Sequence, residues 1–226
     1  MSSTLTNLAS DLWIATGQFT NELGAVTSRM TVIRLKDRRI LVHSPVPIEP
    51  DLRSAVENLG DVAALIAPNL FHHQFISEWR SAFPEAKVFC GPGLETKRSD
   101  IKFNGVLESV SPSEWREQVD QLLIEGIPEY SEVVFFHRPS CTLLVSDLVF
   151  NYTPAQAASD PGAADGLGPH SRTRSAISDP KALRDSIESV LRWPFERVIL
   201  AHGEIVEFGG HARFREGFAF LTQQMN

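Results

Sequence analysis

The feature that most constrains this chain is a series of short apolar runs, each followed by a polar or amphipathic segment. "VAALIAP", "AKVFCGP", "EVVFFH", "CTLLVSDLVF" and "RVILAHG" lack the polar alternation of a half-exposed strand. Runs this short and this apolar read as strands covered on both faces. Between and beside them, "PDLRSAVENLG", "QFISEWRSAFP" and "DPKALRDSIESVLRW" repeat apolar residues at helical spacing. Buried strands alternating with amphipathic helices restrict the fold to a layered α/β arrangement, with strands inside and helices outside.

The chain begins differently. "DLWIATGQF" and "RMTVIRLKDRRILVHSP" alternate with period two, and "KDRR" supplies a polar turn, so the first strands are expected to be antiparallel. "RPS" makes a second tight turn between "EVVFFH" and "CTLLVSDLVF". Gly60 stops the first helix, and Asp179 with Pro180 marks the start of a later one as N-cap and first helical residue. "SPSEWREQVDQLLIEG" begins with a capping pattern and returns toward alternation, while "HARFREGFAFLTQQM" reads as one closing helix. Residues 153–179 are rich in Gly, Ala, Ser and Pro and poor in large apolar groups, so this stretch reads as irregular, either a lid or a floppy insertion. No linker of distinct composition separates two cores, and 1–226 is read as a single domain.

With 42% hydrophobic residues the chain can bury a sizeable core. A net charge of −7 and no long basic run argue against nucleic acid or an anionic membrane as the main partner. A small-molecule substrate fits better, and the oligomeric state is left open. The opening residues lack a basic and then apolar leader pattern, and no stretch reaches the ~20 apolar residues of a spanning helix. The expectation is a cytoplasmic protein. Cys90 and Cys141 both fall in strand-like segments and read as buried, reduced thiols.

The histidines carry the functional signal. His43 ends "ILVH", His72 and His73 follow "LIAPNLF", His137 ends "VVFF", His202 ends "VILA", and Asp147 lies near the end of "CTLLVSD". Strand ends are where α/β folds collect functional groups, since the strands are rigid and the loops beyond them can shape a pocket. Imidazoles converging with a carboxylate also suit a transition metal such as Zn²⁺ or Fe²⁺. A single strand-end histidine is more often a hydrogen-bonded structural residue. Several of them with a carboxylate, however, are costly to bury without a metal or a polar pocket. His170 and His211 read as solvent-exposed, and Arg172 and Arg174 form either a clamp for an anionic substrate or a solvated basic patch.

In their order, "LWIATGQF", "TVIRLKDRRILVHSP", "IAPNLFHHQFISEWRSAFPEAKVFCGPG", "FFHRPSCTLLVSDLVFN" and "RVILAHGEIV" resemble the metallo-β-lactamase superfamily over essentially the whole chain. The similarity is to a divergent bacterial branch known as a domain of unknown function. It implies a four-layer αββα sandwich with two mixed sheets and helices outside, and hydrolysis of esters, lactones or related bonds at one or two metal ions. Aligning the family's His-x-His-x-Asp-His motif on "HH" places Pro68 and Leu70 at its first two histidines, His72 at its aspartate and His73 at its last histidine. Asp147 matches the bridging aspartate and His202 the final His-Gly ligand, with His137 standing in for an intermediate histidine.

The resemblance therefore implies one metal, zinc before iron, held among His72, His73, His137, Asp147 and His202. His72 or Asp147 would assist the water. The alternatives are a non-hydrolytic iron enzyme on the same fold, and a metal-free sandwich that acts as a binding module.

Overall fold

A computed structural model describes residues 4–21, 24–160, 162–163 and 166–223. The backbone divides into two units, Met1–Leu107 and Glu108–Asn226.

In the first unit, β1 (Thr6–Ala9), β2 (Leu12–Asn21), β3 (Gly24–Arg34), β4 (Arg39–His43), β5 (Asp61–Ala67), β6 (Lys87–Cys90) and β7 (Gly105–Val106) lie side by side in chain order. The pairs from β1 to β4 are antiparallel, as the period-two alternation predicts. Pairing from β4 to β7 is parallel, which is why the runs there are continuously apolar. The helices α1 (Pro50–Leu59), α2 (Ile76–Ala82) and α3 (Leu94–Lys97) supply the crossovers. Leu52 and Val56 of α1 and Ile76 and Trp79 of α2 are buried, and the Trp79 indole donates to the Val46 carbonyl at 2.7 Å. The β1 strand was not evident in the sequence, because "TNLA" carries almost no apolar pattern.

The second unit contains a four-stranded sheet in the order β13 (Arg197–Ile199), β10 (Thr142–Leu144), β9 (Val133–His137), β8 (Val119–Leu123). β13 runs parallel to β10, and the other pairs are antiparallel. β11 (Phe150–Tyr152) and β12 (Gly166–Gly168) form a separate antiparallel pair. The remaining helices are α4 (Pro154–Ser159), α5 (Ser171–Ser175), α6 (Pro180–Val190), α7 (Gly210–Gly217) and α8 (Phe220–Gln223). The core gathers Phe136, Leu143, Leu183, Phe195, Val198 and Phe214, with Trp193 stacked on Phe136 at 5.7 Å between ring centroids.

Asp179 caps α6 as expected, its carboxylate accepting from the amides of Lys181 and Ala182, both at 3.0 Å. Several expectations are corrected. Residues 153–179 are not irregular throughout: Thr153 and Gln156 form a capping box that starts α4, and β12 and α5 follow. Residues 161, 164 and 165 of that stretch lie outside the described residues. "CTLLVSDLVF" is two strands separated by a turn at 146–149, and the closing helix is broken between Gly217 and Phe220. "SPSEW" leads into turns rather than a helix. Cys90 is buried in β6, but Cys141 is only half-buried and sits in a turn with φ 48°. Among the described residues no helix is long and apolar enough to cross a membrane.

Candidate metal centre

In the first unit the histidine pair is presented by a turn that the sequence builds locally. β5 ends at Ala67, and the buried Asn69 turns its side chain back on the loop. Its Oδ1 accepts from the amides of Phe71 at 2.9 Å and His72 at 2.8 Å. Pro68 is buried, and Leu70 packs against the core of this unit, so both are apolar, structural residues.

His72 and His73 have different partners. The His72 Nδ1 lies 2.7 Å from Ser44 Oγ. Ser44 follows the last residue of β4 with φ 54°, is 1% exposed, and donates its amide to the Ile66 carbonyl at 2.9 Å. His73 instead accepts at Nδ1 from the Arg98 guanidinium at 3.0 Å. Burial, followed by the charges of Lys97 and Arg98, pushes the His73 pKa down to about 4, so the ring is neutral near pH 7. His43 is fully buried beside them, and burial, with a smaller contribution from His72, lowers its pKa to about 3.

In the second unit the site is built around Asp147, which is 8% exposed. The buried Glu132, just before β9, accepts at Oε1 from the Ser146 amide at 2.7 Å. Its Oε2 accepts from the amides of Asp147 at 2.8 Å and Leu148 at 3.0 Å. The Thr173 hydroxyl donates to the Asp147 carbonyl at 3.3 Å. The turn after β10 is thereby held from both sides.

His202, three residues past β13, places Nε2 3.5 Å from Asp147 Oδ1 and stacks on Phe150, with ring centroids 5.6 Å apart and planes 13° apart. The following Gly203 has φ +83°, and a Cβ there would collide with the Asn151 carbonyl. Asn151 and Glu204 exchange two hydrogen bonds of 2.7 Å across this close approach. The "HG" dipeptide is thus explained: glycine lets the chain pass β11 closely enough to set the His202 ring over Phe150.

Other expected residues lie elsewhere. His137 pairs in register with Thr142, and Leu144 pairs with Phe135. The chain therefore runs from Thr142 toward Asp147 away from His137, at about 3.4 Å per strand residue. His137 is buried with Nδ1 2.7 Å from Ser140 Oγ, so it braces the β9–β10 turn and does not join Asp147 and His202. His170 is 3% exposed rather than solvated; its Nδ1 caps α5 and its Nε2 lies 3.4 Å from Asp160. His211 is half-buried, 2.8 Å from the Leu191 carbonyl. Arg172 faces Asp160 at 3.4 Å, and Arg174 lies over the Phe220 ring.

Sequence reading missed Ser44, Asn69 and Glu132, each of which positions a named histidine or aspartate. Asn69 had a signal, since Pro-Asn after an apolar run marks a side-chain-capped turn. Ser44 and Glu132 had none, because their partners lie 28 and 14 to 16 positions away.

Residues 13–163 match the family model described as "Domain of unknown function (DUF4336)". No curated protein matches the sequence. Among solved structures, a metallo-β-lactamase from Pontibacter korlensis is similar at TM-score 0.69 and 14% identity, covering 99% of this chain and 100% of that one. The metallo-β-lactamase FIM-1 from Pseudomonas aeruginosa, in a mono-zinc form, reaches 0.71 at 13% identity over 99% and 96% of the two chains. A metal-soaked Flv1 flavodiiron core from Synechocystis reaches 0.66 at 13% identity, over 98% of this chain and 61% of that one. At such identities the likeness shows the fold. It is the metallo-β-lactamase fold, an α/β sandwich with mixed sheets, as the resemblance implied.

Proposed function

This chain belongs to the family described as "Domain of unknown function (DUF4336)", and we propose that it is a metal-dependent hydrolase of a small ester, lactone or related substrate, with a single metal ion. The observation that carries this reading is the Asp147 carboxylate 3.5 Å from the His202 imidazole, on a turn fixed by three backbone N–H hydrogen bonds to the Glu132 carboxylate. A carboxylate oxygen and an imidazole nitrogen set side by side on braced backbone are two of the donors that a divalent transition metal takes.

The donor chemistry fits zinc: one carboxylate oxygen from Asp147, one imidazole nitrogen from His202 and one from His72. His72 is preferred over His73 as the third donor because the Arg98 guanidinium already occupies His73 Nδ1 and a second cation beside it would be repelled. Apolar Pro68 and Leu70 leave the first half of the family's motif without donors, which supports one ion rather than two. A bound divalent ion would lower the pKa of a water toward 7 and polarise an ester carbonyl. In this reading the Asp147 carboxylate oxygen not bound to the ion would orient that water and accept its proton.

The imidazole and carboxylate donors, without a thiolate, also suit iron. With the likeness to a flavodiiron core, this supports a second reading as a non-hydrolytic iron enzyme. Metal analysis of protein purified without added metal separates the two. Near-stoichiometric zinc, with turnover of nitrophenyl esters or lactones abolished in Asp147→Ala and His202→Ala but kept in His73→Ala, is the expected result. Stoichiometric iron selects the second reading, and failure to retain zinc or iron after loading overturns both.

A further inference from the structure

We propose that a cavity between the edge strand β8 and the end of α6 is a binding site for a small aromatic phosphomonoester, of the nucleoside monophosphate class. The cavity measures about 440 Å³, lies wholly within the second unit, and has neither Asp147 nor His202 in its lining. Small-molecule sites commonly have this size. Asp120 and Leu122 of β8 share one face of the sheet with Phe136, which pairs with Asp120 in register. Just past α6, the half-buried Trp193 stacks on that Phe136 ring, with planes 12° apart. The indole, fixed in this way, and Leu122 supply the apolar wall of the cavity.

The rest of the lining is cationic. Arg116 and Arg192 both belong to it, and among the described residues neither guanidinium has a carboxylate within ion-pair distance. Arg192 Nη2 donates to Ser189 Oγ at 2.5 Å, which ties that guanidinium back to α6 and leaves its other N–H groups to a ligand. The one carboxylate in the lining, Asp120, faces Arg138 at 3.6 Å, and Arg138 also donates to the Arg116 carbonyl. The acid is thus offset by a cation outside the cavity, and the two lining arginines are not. On a chain of net charge −7 this is a local site for an anion. One guanidinium fork suffices for a carboxylate, whereas a phosphomonoester has three terminal oxygens and charge enough for two. The apolar wall suits a ring on that phosphate, since Trp193 offers it an aromatic surface.

The test uses the full chain, freed of metal with a chelator so that it does not depend on the function proposed above, and AMP as the probe. Calorimetry should show one AMP per chain, and AMP should shift the Trp193 indole N–H signal, identified by its loss in Trp193→Phe. Adenosine and inorganic phosphate, each able to use only one wall, should bind at least about 10-fold more weakly. Arg116→Gln and Arg192→Gln should each weaken AMP binding by about 10-fold or more. Both arginines are exposed, so the variants should unfold at the wild-type urea midpoint. Asp147→Ala should bind AMP as the wild type does. No binding at about 10 mM AMP, phosphate binding as tightly as AMP, or wild-type affinity in the double variant Arg116→Gln/Arg192→Gln overturns the proposal. Binding lost in Asp147→Ala but kept in the arginine variants also overturns it, and places the nucleotide at the candidate metal centre instead.

Discussion

The loop at 68–75 in the first unit and the turn at 146–149 in the second carry histidine or aspartate at the ends of buried strands, but they are built in opposite ways. The first is a local construction in which Asn69, between apolar Pro68 and Leu70, caps its own loop. The second is a long-range construction in which the buried carboxylate of Glu132 holds three successive amides. A loop that folds on itself can keep its shape when residues around the capping Asn69 change. A turn that depends on one distant buried carboxylate loses its shape when that residue is replaced.

The largest expected effect tests that contrast. Glu132→Ala leaves three buried amides without their acceptor and should destabilise the protein by about 3 kcal/mol or more in urea unfolding, while Asn69→Ala should cost about 1 kcal/mol. Equal losses would remove the distinction between the two constructions. Gly203→Ala comes next. The φ of +83° and the close Asn151 carbonyl should make it cost about 2 kcal/mol in urea unfolding.

A smaller effect concerns the first unit alone. His43 is held neutral in the folded state with a pKa near 3, whereas the unfolded chain takes up its proton below 6.5. Stability is therefore full above pH 6.5 and falls as pH drops toward 3. Between pH 6.5 and 5 the loss should be about 1 to 2 kcal/mol in the metal-free protein, and His43→Leu should flatten that slope. An unchanged slope would mean that other groups dominate. The smallest effect is a rate. Burial pushes the Cys90 thiol up to about 12, so iodoacetamide at pH 8 should label the half-exposed Cys141 first; labelling of Cys90 at the same rate would show that β6 opens readily.

What was legible in the sequence was what neighbours in the chain decide. The antiparallel start, the buried strands after it and the Asp179–Pro180 helix start each follow from residues a few positions apart. The same locality explains the errors. Small residues hid α4 and β12 because their order comes from a capping box and from pairing with β11. His137 looked like a strand-end ligand because the sequence shows that a strand ends but not at which edge of the sheet. Register with Thr142 decided that.

By itself, then, the sequence determined the element types, the layered α/β class and the residue types available for metal chemistry, since these depend on local periodicity and side-chain chemistry. Only the tertiary structure decided which histidine has which partner. It gave His73 to Arg98, His72 to Ser44, and Asp147 to a turn held by Glu132. Those choices rest on hydrogen bonds between residues far apart in the chain, and no local pattern encodes them.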